Sequence, residues 1–170
     1  EVVPKSPADG HTLLLASITT HGINPSLYGK LRFNPVTDFA PITPVATSPN
    51  VLIVPASSSL KSIRQIVEQA QKQPKALTYA SGGNGTPQHL AGEMFATMTG
   101  IKLLHNPYKS APQSMNAVLA GEVDMSFVSA PVAWPQAQAK AVTAIGVTSQ
   151  QRLGMWPELR PIAEQGLPGY

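Results

Sequence analysis

Cysteine is absent from the 170 residues. This excludes disulfide cross-links and thiolate chemistry, and it suits an exported bacterial protein. Charge is scarce: 12% of the residues are Asp, Glu, Lys or Arg, the net charge is +3, and the basic residues are scattered, so no nucleic-acid partner is expected. No apolar run approaches the roughly 20 residues of a membrane span. The histidines are His11, His21, His89 and His105, and no two stand at H-x-x-x-H or H-E-x-x-H spacing, so neither a zinc site nor any other metal site or cofactor is expected. No G-x-S-x-G nucleophile turn occurs, and Ser58-Ser59-Leu60-Lys61, an S-x-x-K match, precedes a helix cap without its companion motifs. The nine carboxylates include no pair placed for acid–base work on neighbouring strand ends. What the chain has in quantity is proline, with 17, and glycine, with 13, which means many short elements. It opens on Glu1-Val2-Val3-Pro4, which reads as the interior of a longer chain.

Those elements can be placed in order. Residues 12–16 (Thr-Leu-Leu-Leu-Ala) read as a buried strand, followed by a polar loop at 17–21. Asn24 and Pro25 open a short helix as cap and first helical residue. Residues 42–46 and 51–54 are β-prone. Ser62 and Gln65 form a capping box on a helix whose buried stripe is Ile63, Ile66, Val67 and Ala70. Further strands are predicted at 77–80, 101–105, 123–127 and 141–148, alternating with helices after Thr86, after Ser110 and at 131–139. Five strands and four helices between Val51 and Thr148 argue for an α/β fold with a largely parallel sheet covered on both faces. The flanking residues read as pieces of a second domain. Met94, Met98 and Met115 are assigned to packing.

The stretch 77–100 organises the rest. Behind its strand, Ser81-Gly82-Gly83-Asn84-Gly85 is a glycine turn, Thr86 an N-cap, Pro87 the first helical residue, and Leu90, Met94 and Met98 follow at helical spacing to Gly100. The chemistry of such a turn is anion binding, by bare N–H groups at the positive end of a helix dipole. The hydroxyls of Ser81 and Thr86 and the amide of Asn84 add donors. The alternative is a tight strand–helix turn with no ligand. A phosphate-binding P-loop is excluded by Gly85-Thr86-Pro87, and a dinucleotide fingerprint by Gln88 where a third glycine belongs. His89 falls where its ring either reaches the anion pocket or packs and caps, and His105, at a strand end, reads as structural.

Ser81-Gly82-Gly83-Asn84-Gly85-Thr86-Pro87-Gln88-His89-Leu90-Ala91-Gly92-Glu93 resembles the loop and helix of the substrate-binding proteins of tripartite tricarboxylate transporters, the Bug/TctC type. The similarity continues, in family order over essentially all of the chain, through Ala8-Asp9-Gly10-His11-Thr12, Ile23-Asn24-Pro25-Ser26-Leu27-Tyr28, Asp38-Phe39-Ala40-Pro41, Pro107-Tyr108-Lys109, Gly121-Glu122-Val123-Asp124-Met125 and Gly166-Leu167-Pro168-Gly169-Tyr170. The resemblance implies a periplasmic solute receptor of the type II periplasmic-binding-protein kind. In it, two α/β lobes close on a small organic carboxylate and deliver it to membrane permease subunits, without catalysis. It implies that 48–148 is the second lobe, that 1–47 and 149–170 form an incomplete first lobe, and that the chain crosses between lobes near 46–50 and 148–150. The ligand would be held by Ser81, Gly82, Gly83, Asn84, Gly85, Thr86 and His89, partly through ordered water, with Thr19 and Thr20 of the loop 17–21 contributing from the other lobe.

Departures from the family pattern shape these expectations. The family's first strand, its Pro-Gly-Gly loop and its C-terminal part have no counterpart. The chain therefore reads as a receptor fragment with exposed apolar surface, for which self-association is expected. Val128 stands where several members carry Asp, which argues against an amino-acid ligand, and Ser110 replaces the usual Gly. Lys140-Ala141 stands where a Gly-Lys turn is usual. Two other classes are weighed: a small hydrolase using His89 with Ser81 or Thr86, and a protein-interaction or signalling module whose turn is empty.

Overall fold

The computed structural model describes residues 2–74 and 76–170; Glu1 and Lys75 lie outside the described residues. The chain divides into two compact units, Glu1–Thr47 and Ser48–Tyr170.

In the first unit the strand expected at 12–16 does not form. Leu13, Leu14 and Leu15 are exposed, Leu15 at 80%. A strand takes its hydrogen bonds from a neighbour, and the described residues of this unit contain no strand. For the same reason residues 42–46 stay outside any sheet, with Ile42 and Val45 exposed. Of the segment 17–21, expected as a loop, residues 18–21 are helical instead: a π-helical turn, Thr19–Ile23, runs straight into α1 (Asn24–Leu27). Asn24 thus lies inside a continuous helical run and is not its cap. His21 lays its ring against Phe39 and Phe33, with centroids 4.8 and 5.9 Å apart.

The second unit is built on β1 (Asn50–Pro55), α2 (Ile63–Lys72), β2 (Thr78–Ser81), α3 (Pro87–Thr99), β3 (Leu104–Pro107), α4 (Ala111–Ala120), β4 (Met125–Ser129), α5 (Ala130–Gln138) and β5 (Val142–Val147). The strands form one sheet in the order β3-β2-β4-β1-β5. β2 pairs in parallel with β3 and β4, in the register Ala80 opposite Asn106 and Ser126. The sheet is largely parallel in strand direction, as expected, with one exception: β1 runs antiparallel to both β4 and β5. Its first residue, Asn50, lies opposite Ser129, the last residue of β4, so the chain enters the sheet at the end where the other four strands leave it.

β1 is buried on both faces. Leu52 and Val54 join a cluster with Ile63 and Ile66 of α2, Tyr79, Phe95 of α3, Met125 and Phe127; Val51 and Ile53 join another with Met115 and Val118 of α4, Ala133 of α5, Val147 and Trp156. Each large apolar side chain so buried contributes about 1.5–3 kcal/mol. α3 turns an unexpected face inward. Gln88, Gly92 and Phe95 are buried, while Met94 is 43% exposed and Leu90 and Met98 are exposed too. The packing role assigned to Met94 and Met98 is therefore corrected, and of the three methionines only Met115 lies in the core. Gly92 is needed there because a Cβ would run into the Tyr79 ring.

The tail 149–170, expected with 1–47, packs on this sheet instead. Trp156 and Leu159 join one core cluster, and Ile162, Leu167 and Tyr170 the other. The Ile162 N–H donates to the Val147 carbonyl at 2.8 Å, and the Tyr170 hydroxyl donates to the Ala91 carbonyl of α3 at 2.8 Å.

Candidate functional site

Because β2, β3 and β4 run in parallel, the helices that follow them, α3, α4 and α5, all begin at the same end of the sheet. Three positive dipole ends therefore lie at one rim, which favours an anion there. Ser110 and Ser129 stand at the N-caps of α4 and α5, and neither hydroxyl caps its helix. Sequence reasoning passed over both as site residues. The available signal was a repeated tripeptide, Ser110-Ala111-Pro112 and Ser129-Ala130-Pro131.

The turn itself is more self-contained than expected. Ser81 closes β2 and is 0% exposed. Gly83 and Gly85 have φ of 125° and 76°, conformations in which a side chain would be strained. The expected row of bare amides is corrected: most already have partners. The Gly82 N–H donates to Gln88 Oε1 at 2.8 Å, Gly83 to Ser81 Oγ at 3.1 Å, Gly85 to His89 Nδ1 at 3.1 Å and Thr86 to the Gly83 carbonyl at 3.3 Å. Thr86 is the N-cap, accepting from the His89 N–H at 3.3 Å while donating to the Gly83 carbonyl at 2.7 Å. A turn this enclosed satisfies its own donors because a buried unpaired N–H is costly. Asn84 is the exception. It is exposed at the tip of the turn, and among the described residues neither its N–H nor its carboxamide has a partner.

His105 and His89 brace the turn from below. His105 Nε2 lies 2.7 Å from Ser81 Oγ, its ring stacks on Tyr79 at 4.7 Å, and the two imidazoles stack at 4.2 Å. Glu93 accepts from the Tyr79 hydroxyl at 2.6 Å and lies 3.9 Å from His89 Nε2. Burial holds His105 below its ordinary range, the neighbouring His89 pushes the same way, and Glu93 opposes both. Burial, with help from the Glu93 carboxylate, pushes the Tyr79 phenol above its ordinary range. His105 is held by Ser81 and by stacking on Tyr79 and His89, and His89 packs on it and accepts a backbone hydrogen bond.

Ser81 and His105 have the spacing of a nucleophile and its base. Access does not favour the hydrolase alternative: Ser81 is fully buried and its hydroxyl is shared with the Gly83 backbone. Nδ1 of His89 is taken by Gly85, and the Thr86 hydroxyl is committed to Gly83. The S-x-x-K match forms no dyad either, since Lys61 Nζ donates to the Ala56 carbonyl and to Thr143 Oγ1. Among the described residues no three metal-binding side chains gather, and no helix is long and apolar enough to cross a membrane. Thr19 and Thr20 lie in the unit Glu1–Thr47, where the Thr20 hydroxyl sits 2.9 Å from His21 Nδ1.

The model of the Tripartite tricarboxylate transporter family receptor matches residues 1–170. A curated relative, the UPF0065 protein in the tcbD-tcbE intergenic region of Pseudomonas sp. (strain P51), is 39% identical over 171 residues, covering 100% of this chain and 51% of the relative. Among solved structures, R. palustris Rpa4515 with adipate matches with a TM-score of 0.89 and 32% identity, covering 99% of this chain and 56% of that one. The periplasmic binding protein BugD matches with a TM-score of 0.80 and 30% identity, covering 89% of this chain and 50% of that one. The chain thus spans about half the length of the relatives it matches. With its helix-flanked mixed sheet and its glycine turn at the strand ends, this chain belongs to the tripartite tricarboxylate transporter receptor family.

Proposed function

We propose that this chain serves in a periplasmic solute receptor that captures a small organic carboxylate and hands it to a membrane permease. The observation that carries this reading is the likeness to R. palustris Rpa4515, a structure with adipate, at 32% identity over 99% of this chain. The carboxylate is assigned to the rim where α3, α4 and α5 begin, with the Asn84 N–H and carboxamide as the accessible donors at the turn. Ser81, Gly82, Gly83, Gly85, Thr86 and His89 shape the turn that presents Asn84, and ordered water links the ligand to groups already committed. The Ser110 and Ser129 hydroxyls supply further donors at the same rim. In this reading 1–47 belongs to the first lobe and 48–148 to the second. The reading assigns binding and no reaction.

Thermal-shift measurements on the full chain with mono-, di- and tricarboxylates, adipate among them, test this. Binding raises the melting temperature with ligand excess, by about 2.7 kcal/mol of added stability at roughly a hundredfold over Kd. Asn84→Ala is expected to weaken that binding about tenfold, the scale of a hydrogen bond to a charged group. A folded chain that no carboxylate stabilises would overturn the reading.

A further inference from the structure

Two histidines hold the two ends of the turn. His105, on β3, meets Ser81 Oγ at 2.7 Å, and Ser81 Oγ in turn accepts from the Gly83 N–H. His89, in the first turn of α3, accepts from the Gly85 N–H through Nδ1 at 3.1 Å. Asn84, the exposed donor, is the residue between these two anchored glycines. The rings lie 4.2 Å apart with 21° between their planes. The titratable groups around the pair are Tyr79 on β2, stacked on His105, and Glu93 on α3, which takes the Tyr79 hydroxyl and lies 3.9 Å from His89 Nε2. Among the described residues no other charged side chain bonds or pairs with either ring.

The proton positions follow from these contacts. An N–H donates to a lone pair, so His89 Nδ1 is unprotonated while the Gly85 bond stands, and the neutral ring carries its proton on Nε2, toward Glu93. A second proton has only Nδ1 to go to. There it would set N–H against N–H and break the hold on Gly85. Charging both stacked rings adds like-charge repulsion at close range.

We propose that His89 and His105 are positioning residues that keep Asn84 aimed at the ligand only while both rings are neutral, so that acid frees the turn and lets the carboxylate go. This rests on the binding reading above. Partial burial already favours the neutral form of His105.

The test is calorimetric binding of adipate to the full chain between about pH 7.5 and about pH 5. It compares the unaltered protein with His89→Asn, whose Oδ1 replaces the Nδ1 acceptor, with His105→Gln, whose carboxamide keeps a hydrogen-bonding partner for Ser81 Oγ in either direction, and with the double variant. Adipate's own protonation affects all four equally and cancels in the comparison. The unaltered chain is expected to lose roughly tenfold more affinity over this range than the double variant, whatever their affinities near neutrality. Should the double variant fail to fold, His89→Asn alone, which leaves the Ser81 bond untouched, carries the comparison. A ligand-free readout runs beside it: over the same pH range the Gly85 amide resonance is expected to move in the unaltered chain and to stay still in His89→Asn. Parallel pH profiles in unaltered chain and variants, or a Gly85 resonance that never moves, would overturn the proposal. A moving Gly85 resonance with no adipate binding at any pH and no thermal stabilisation by any carboxylate would overturn the carboxylate reading and leave the acid-released turn standing.

Discussion

At the scale of single residues, Gly92 and His105 carry the most testable consequences. Gly92 brings α3 down onto the Tyr79 ring, where a methyl group has no room. Gly92→Ala is expected to destabilise the chain by about 1–3 kcal/mol, the range for overpacking a tight contact. Urea denaturation measures this, and an unchanged midpoint would mean that the helix shifts freely. His105 links stability to pH. Its folded-state value lies below its ordinary 6.5, so the folded chain binds fewer protons than the unfolded chain between those two values. Its contribution is complete above about pH 6.5 and is lost as pH falls toward the folded-state value. A denaturation series across this window should show stability falling with acid, and His105→Gln should flatten that part of the slope.

At the scale of elements, α3 shows how a helix can be capped as its sequence says and yet turn an unexpected side inward. Thr86→Ala removes both the cap on the His89 N–H and the bond to the Gly83 carbonyl, and is expected to cost about 1 kcal/mol or somewhat more. Phe95, fully buried among Phe127 and Tyr170, is the element's anchor, and Phe95→Ala should cost about 3–5 kcal/mol. Met94→Gln and Met98→Gln, on the exposed side, should stay within about 0.5 kcal/mol of the parent. Thermal or chemical denaturation of the four variants orders them, and a large loss at Met94 would contradict the observed helix face.

At the scale of the whole molecule, the two units differ in what holds them. Ser48–Tyr170 has a sheet buried on both faces and a tail stitched to it by the Ile162 and Tyr170 bonds. The described residues of Glu1–Thr47 include Leu13, Leu15, Ile18, Val36, Ile42 and Val45, all exposed. Segments with few buried contacts open first. Limited proteolysis is expected to cut the extended residues 42–47 early and to leave a resistant product beginning near Ser48 and running through Tyr170. Early cleavage within 149–170 would contradict the tail's place on the sheet.

Short-range chemistry was legible from the residues alone. Thr86 caps α3, Ser62 caps α2, and Gly100 and Gly121 end their helices, because a helix end is settled by groups within about four positions of it. The alternation of strands and helices, and the placing of the turn at a strand end, followed from the same local signals. Everything that depends on a distant partner was settled by the folded chain. β1 runs against its neighbours because of where it enters the sheet, and 12–16 forms no strand for want of one beside it. Gln88 and Gly92 hid the inward stripe of α3, since neither reads as apolar. The tail joined the sheet through contacts made tens of positions away. At the turn, the amides that local chemistry leaves open are closed by Gln88 and His89, and His105, twenty-four positions from Ser81, locks its start. Among the turn amides of residues 82–86 only that of Asn84 is left without a partner, because the fold brings no acceptor to it.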